Sequence, residues 1–179
     1  MSVEFTSGHA FGRSAEELGE RVLATILFAD IVDSTAAVER LGDAAWAELL
    51  LAHNETVRVL VDRHRGREMM TLGDGFLALF DGAARAVRAA AAIAPAIAPF
   101  GLRVRCGVHT GEVEIVGGQA RGVTVHAAAR VAALAAADEV LVSGTTRDLL
   151  DGSGLDFEPR GEHVLKGLST PRPLFALRR

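Results

Sequence analysis

The segment EMMTLGDGFLALF, Glu68 to Phe80, constrains the fold more than any other part of the chain. Two strand-like runs flank Asp74, which stands between Gly73 and Gly75, and Asp-Gly between apolar runs is a strong hairpin signal. Upstream, VLATILF (Val22 to Phe28) reads as a buried strand that ends on Ala29 and Asp30. Two helical patterns separate that strand from the hairpin. AAVERLG makes a short helix closed by Gly42, with Ser34 and Thr35 placed to cap it. Asp43 caps a longer helix in which Trp46, Leu49, Leu50, Val57, Leu60 and Val61 recur near helical spacing.

Beyond the hairpin, Ala83 to Ile93 predicts an Ala-rich helix broken near Pro95 and Pro99. Leu102 to Val108 and Glu112 to Val116 read as two strands joined by His109-Thr110-Gly111. Thr124 to Ala135 reads as helix, EVLVSG as strand and Thr145 to Leu150 as a short helix. Strand-like pieces around VLKG and PLFAL close the chain. A hairpin in the second and third strand positions is what a split βαβ unit requires. The fold class expected is therefore α+β, a ferredoxin-like βαββαβ sandwich with extra C-terminal strands and its helices packed on one face of a mostly antiparallel sheet. Residues 1–20 are expected to form an arm or short helix, and residues 21–179 one domain.

Composition excludes several function classes. Hydrophobic residues are 49% and charged residues 23%, which is globular rather than disordered. A net charge of −4 argues against nucleic acid as the partner. The single cysteine, Cys106, permits no disulfide framework, suits a reducing cytosol and reads as plain core. The longest apolar run, Ala89 to Phe100, is too short to span a bilayer, and no signal peptide precedes the first strand. A cytoplasmic location without membrane contact is the expectation.

If the first three strands are sheet neighbours, Asp30 and Asp74 project from the same edge. Two such carboxylates can bridge hard divalent cations, which take oxygen ligands and favour phosphate-bearing substrates. The segment IVDST, carrying Ser34 and Thr35, adds free backbone N–H groups at a helix N-terminus, where anions bind. Alone, Asp74 is a turn residue and Asp30 a strand-end residue; together, beside that helix start, they form a candidate site.

FADIVDST, TLGDGFLALF, VRCGVHTGEV and GVTVHAAARVAAL, in this order, resemble the catalytic domain of class III nucleotidyl cyclases, over about Thr25 to Leu177. The resemblance implies conversion of a nucleoside triphosphate to a 3′,5′-cyclic monophosphate and pyrophosphate, with two divalent cations, Mg or Mn, as cofactors. It implies a homodimer with active sites at the subunit interface. Asp30 and Asp74 fall on the family's metal-binding aspartates, and Ile31 would lend its carbonyl to a metal. Arg130 falls on the arginine that stabilises charge at the α-phosphate, and His126 on the ribose-positioning residue. His126 and Arg130, four apart on one helix, share a face. Lys166, in LKG, resembles the lysine that contacts the terminal phosphates. His109 reads as structural.

The chain departs from the family at the base. Adenylate cyclases carry a purine-reading lysine four residues before the second aspartate, and an aspartate seven before the ribose position; those places here hold Met70 and Gln119. Methionine can neither donate nor strongly accept, whereas glutamine does both. Three readings stay open: an ATP-favouring cyclase with weak base discrimination, a uridylate or cytidylate cyclase of a phage-defence system, and a catalytically degenerate nucleotide-binding module.

Overall fold

The computed structural model describes residues 19–178. Strand β1 (Glu20–Ile31) pairs with β4 along its whole length, and its alternation sorts the molecule into two faces. Leu27, Ala29 and Ile31 point to one face, while Ala24, Ile26 and Phe28 point to the other. The helices α1 (Ser34–Leu41) and α2 (Asp43–Arg63) lead to the hairpin β2 (Arg67–Leu72) and β3 (Gly75–Phe80). Helix α3 (Ala83–Ile97) and a short 3₁₀ turn (Ala98–Phe100) lead to β4 (Val104–Val116). β2, β3, β1 and β4 lie in that spatial order, each antiparallel to its neighbour, which is the ferredoxin-like arrangement. The sheet continues through β6 (Val140–Ser143), β8 (Arg172–Leu177) and β7 (Phe157–His163), and the short β5 (Gln119–Arg121) pairs with the far end of β4. Among the described residues, β4 and β6 are the one parallel pair.

Val57, Leu60 and Val61 of α2, with Ala86, Val87, Ala90, Ile93 and Ile97 of α3, bury against Leu27, Phe76, Phe80, Val104, Cys106 and Val108. The remaining long helix, α4 (Val123–Leu134), does not join them. It lies on the opposite face, over Ala24, Ile26 and Val113, and its later residues pack with Leu141, Leu174 and Ala176. Helices on one face therefore describe the βαββαβ core but not the whole domain. The cause is legible at Gly107: a methyl group there would overlap the backbone of Ala128 and Ala132, so the bare strand lets an Ala-rich helix lie directly on it.

Several local expectations are corrected. α3 runs through Pro95, whose ring sits on the exposed side, where water can satisfy the carbonyl released one turn earlier. The helical stretch Ala83–Phe100 is 18 residues long with mean hydropathy 1.2, enough by length and composition to cross a membrane; here Ala86, Val87, Ala89, Ala90, Ile93 and Ile97 are fully buried in the core. His109-Thr110-Gly111 is no turn, because β1 is long enough to pair with all three, His109 with Ile26, Thr110 with Thr25 and Gly111 with Ala24. VLKG lies in the turn between β7 and β8. Ser34 and Thr35 stand inside the first turn of α1; the cap is Asp33, in the left-handed region at φ 54°, and its side chain makes no capping bond. α2 likewise follows Gly42, with Asp43 in its first turn. The expected N-terminal arm lies outside the described residues as far as residue 18, and Glu20 already belongs to β1.

Candidate active site

Asp30 and Asp74 meet at one edge of the sheet because β3 sits between β1 and β2. Ala29 pairs with Phe76, which sets Asp30 beside the β2–β3 turn that carries Asp74. The charge of Asp74 acts on the Asp30 carboxyl. Burial raises the Asp30 carboxyl above its usual range; Arg105 opposes that rise, and Asp74 adds to it. A buried carboxylate next to another with one cation between them has excess negative charge, which suits a divalent ion.

Arg105 escaped the sequence reading. It is the partner of Asp30 in the β1–β4 register, and its Nε and Nη2 donate to Asp30 Oδ2 at 3.2 and 2.8 Å. Its Nη1 donates to the carbonyl of Ala133 on α4 at 3.3 Å. The available signal was a charge flanked by apolar residues in VRCGV. Glu68, also nearby in sequence, is committed elsewhere: it accepts from Arg58 Nε at 2.6 Å and from Thr71 at 2.6 Å.

Ser34 and Thr35 join Asp74. Together with Gly73, Trp46 and Leu50 they line a pocket of about 280 Å³, so the first backbone N–H groups of α1 open next to the carboxylate turn. Ile31 is buried one residue beyond Asp30, paired with Val104. Among the described residues no three His, Cys, Asp or Glu side chains form a metal cage of their own. Two carboxylates and a carbonyl, with the remaining positions left to water and phosphate, match a Mg²⁺-type site better than a Zn²⁺-type one.

The remaining candidates gather elsewhere. Arg130 lies on α4 against the β7–β8 turn, where a methyl at Gly167 would stand 3.1 Å from Arg130 Nη1; the exposed Lys166 is the preceding residue. His126 is exposed one turn earlier on α4. Met70, 44% exposed, is on the edge strand β2, and Gln119 is exposed on β5, which touches β2 near Arg67 and Gly118. Arg130 and Lys166 thus lie together at α4 and the β7–β8 turn, and Asp30 and Asp74 at the end of β1 and the β2–β3 turn. Arg105 is the side chain that spans from Asp30 to α4.

Cys106 belongs to the core, and His109 is half-buried on β4. His109 Nδ1 lies 2.7 Å from Ser143 Oγ, and burial with the Arg172 charge holds its ring down to about 4. Burial pushes the Cys106 thiol up to about 12.

The model of the adenylate and guanylate cyclase catalytic domain matches residues 19–177. A protein of Rhizobium meliloti (strain 1021) named "Putative adenylate cyclase 3" is 32% identical over 166 residues, covering 88% of this chain and 28% of that protein. The chain thus spans little more than a quarter of that relative. The adenylyl cyclase CyaB from P. aeruginosa superposes with a TM-score of 0.84 at 22% identity, covering 89% of this chain and 95% of the other. The adenylate/guanylate cyclase/hydrolase from Silicibacter pomeroyi gives 0.81 at 25% identity, covering 90% and 99%. With the βαββαβ core, the paired aspartates and a family match over nearly its whole length, this chain belongs to the adenylate and guanylate cyclase catalytic domain family.

Proposed function

We propose that the domain converts a nucleoside triphosphate, ATP ahead of the others, into a 3′,5′-cyclic monophosphate and pyrophosphate, at sites shared by two copies of the chain. The observation that carries the proposal is the convergence of Asp30 and Asp74 beside the open N-terminus of α1. Asp30, Asp74 and the carbonyl of Ile31 would hold two divalent cations, Mg or Mn. Bound there, the cations would acidify the ribose 3′-hydroxyl and neutralise the triphosphate.

The chain's own groups supply the rest. The N–H groups around Ser34 and Thr35 cradle phosphate oxygens. Arg105, already seated on Asp30, adds positive charge on the same side. Arg130 of the other copy stabilises negative charge growing at the α-phosphate, and the nearby Lys166 holds the terminal phosphates. His126, one helical turn from Arg130, orients the ribose. Assembly of two copies would bring the Arg130–Lys166 cluster of one to the carboxylates of the other. Leu72, Val123 and Leu134 add exposed apolar surface near them, with Leu72 76% and Val123 59% exposed.

Met70 and Gln119 set the base. Met70 gives an apolar wall with no hydrogen-bonding edge, and Gln119 an amide that can face either way, so discrimination between bases is weaker than binding of the triphosphate. The same half-exposed Met70 supports a second reading, in which the smaller pyrimidine of UTP or CTP is taken. The test is a product assay with ATP, GTP, CTP and UTP supplied together with Mn²⁺, all four cyclic monophosphates being quantified by mass spectrometry. One dominant cyclic product is expected, and its identity names the base. No product at concentrations where the dimer is demonstrated would leave a nucleotide-binding module in place of an enzyme.

A further inference from the structure

Among the described residues, one buried side-chain nitrogen or oxygen lacks a hydrogen-bond partner, and it is Nε2 of His53. His53 is fully buried on α2. Its Nδ1 lies 2.9 Å from Asn54 Oδ1. A carbonyl oxygen only accepts, so Nδ1 carries the proton and Nε2 presents its lone pair. Burial keeps the ring neutral. The residue follows Trp46 and Leu50 on the inward side of α2, and those two line the pocket closed by Gly73 and Asp74. The charges that act on the ring are those of Asp74 and Asp30.

The lone pair on Nε2 needs a donor, and a carboxylate in its charged form is an acceptor only. A group that donates in both directions resolves the mismatch, and water is the smallest such group. Hard cations keep several of their waters, and a cation-bound water is a strong donor. We propose that His53 is a positioning residue of the carboxylate site, its Nε2 accepting a hydrogen bond from a water in the hydration shell of the cation held by Asp30 and Asp74. This rests on the metal reading above. It gives His53 the outer-sphere role that fixes ligand geometry in metal sites without touching substrate.

The test measures Mn²⁺ affinity of the full chain by electron paramagnetic resonance of free Mn²⁺, with 3′-deoxy-ATP, which lacks the attacking hydroxyl. His53→Phe keeps the ring and deletes the acceptor, whereas His53→Gln returns an oxygen acceptor. His53→Phe is expected to weaken Mn²⁺ by about 10–100-fold, with unchanged circular dichroism, and His53→Gln to recover most of the loss. Wild-type Mn²⁺ affinity in folded His53→Phe overturns the proposal. Should that variant not fold, ¹⁵N resonance of the wild-type imidazoles decides: Mg²⁺ with 3′-deoxy-ATP must shift the His53 Nε2 signal, and an unmoved signal overturns the assignment. Asp74→Asn separates the two readings. Mn²⁺ binding that ignores Asp74 removes the carboxylate site itself, whereas binding that needs Asp74 but ignores His53 removes only this inference.

Discussion

Arg105 and Asp30 face one another across the β1–β4 ladder, and both guanidinium bonds fall on the same oxygen, Oδ2 of Asp30. The pairing offsets part of the repulsion that Asp74 exerts on Asp30. Arg105→Ala is therefore expected to cut cyclic-product formation by about 100-fold, the usual cost of losing one charged donor at a phosphoryl centre. Arg105→Lys should keep part of it. A wild-type rate in Arg105→Ala would confine this guanidinium to neutralising Asp30.

Separation of carboxylates from cations makes complementation decisive. Asp74→Ala and Arg130→Ala should each be inactive alone. Mixed one to one with subunit exchange, half of the dimers carry one intact site of two, so about a quarter of wild-type activity should return. Native mass spectrometry would count the mixed dimers. Their presence without activity would place a whole site within one chain.

Base choice should be separable from chemistry. Installing the purine-reading pair as Met70→Lys with Gln119→Asp is expected to raise the cyclic AMP share over the other products by roughly 10-fold. Both positions are exposed, so stability should change by no more than about 0.5 kcal/mol. Competition between the four triphosphates reads the ratio directly.

Acid should unfold the domain through His109 and His53. Burial first, then the Arg172 charge, lowers His109 to about 4 in the folded chain, against about 6.5 unfolded. A depressed histidine favours the folded state fully above pH 6.5, and that contribution is lost as pH falls towards 4. Urea melts from pH 7 to 4 should lose on the order of 2 kcal/mol through this window. His109→Gln should flatten much of the slope, the remainder belonging to His53, which shifts the same way.

Gly107→Ala tests the seat of α4. Its methyl would stand 2.6 Å from the Ala128 carbonyl oxygen, a backbone atom that cannot step aside. The expected cost is about 3 kcal/mol, a melting temperature lower by roughly 6–12 °C. Activity should fall further than stability, since α4 carries His126 and Arg130.

The hairpin, the helix pair and the strand β1 were legible because each has a local cause: a turn dipeptide, a helical period, an apolar run. What failed was non-local. Nothing in HTG reveals that β1 extends far enough to pair with it, and only that length turns His109 from turn residue to strand. Pro95 signals a break, yet it falls on the solvent side of α3, where a missing hydrogen bond is tolerated. Nothing in VRCGV tells that α4 lies on Gly107. The carboxylates were found from their positions at a strand end and a turn. Arg105 and His53 were missed because the partner of one emerges from strand register and the place of the other from an unmade bond.

The sheet places its chemistry at unequal depths. Asp30 sits where burial, Arg105 and Asp74 all act on one carboxylate, so a change there disturbs several balances at once. Met70 and Gln119 stand on the outermost strand and a three-residue ribbon, held by little and answerable to little. On the proposed reading of Met70 and Gln119, mutational drift there would reassign which base is accepted while the carboxylate end stays locked. A domain built this way is easily repurposed from one nucleotide signal to another without being refolded.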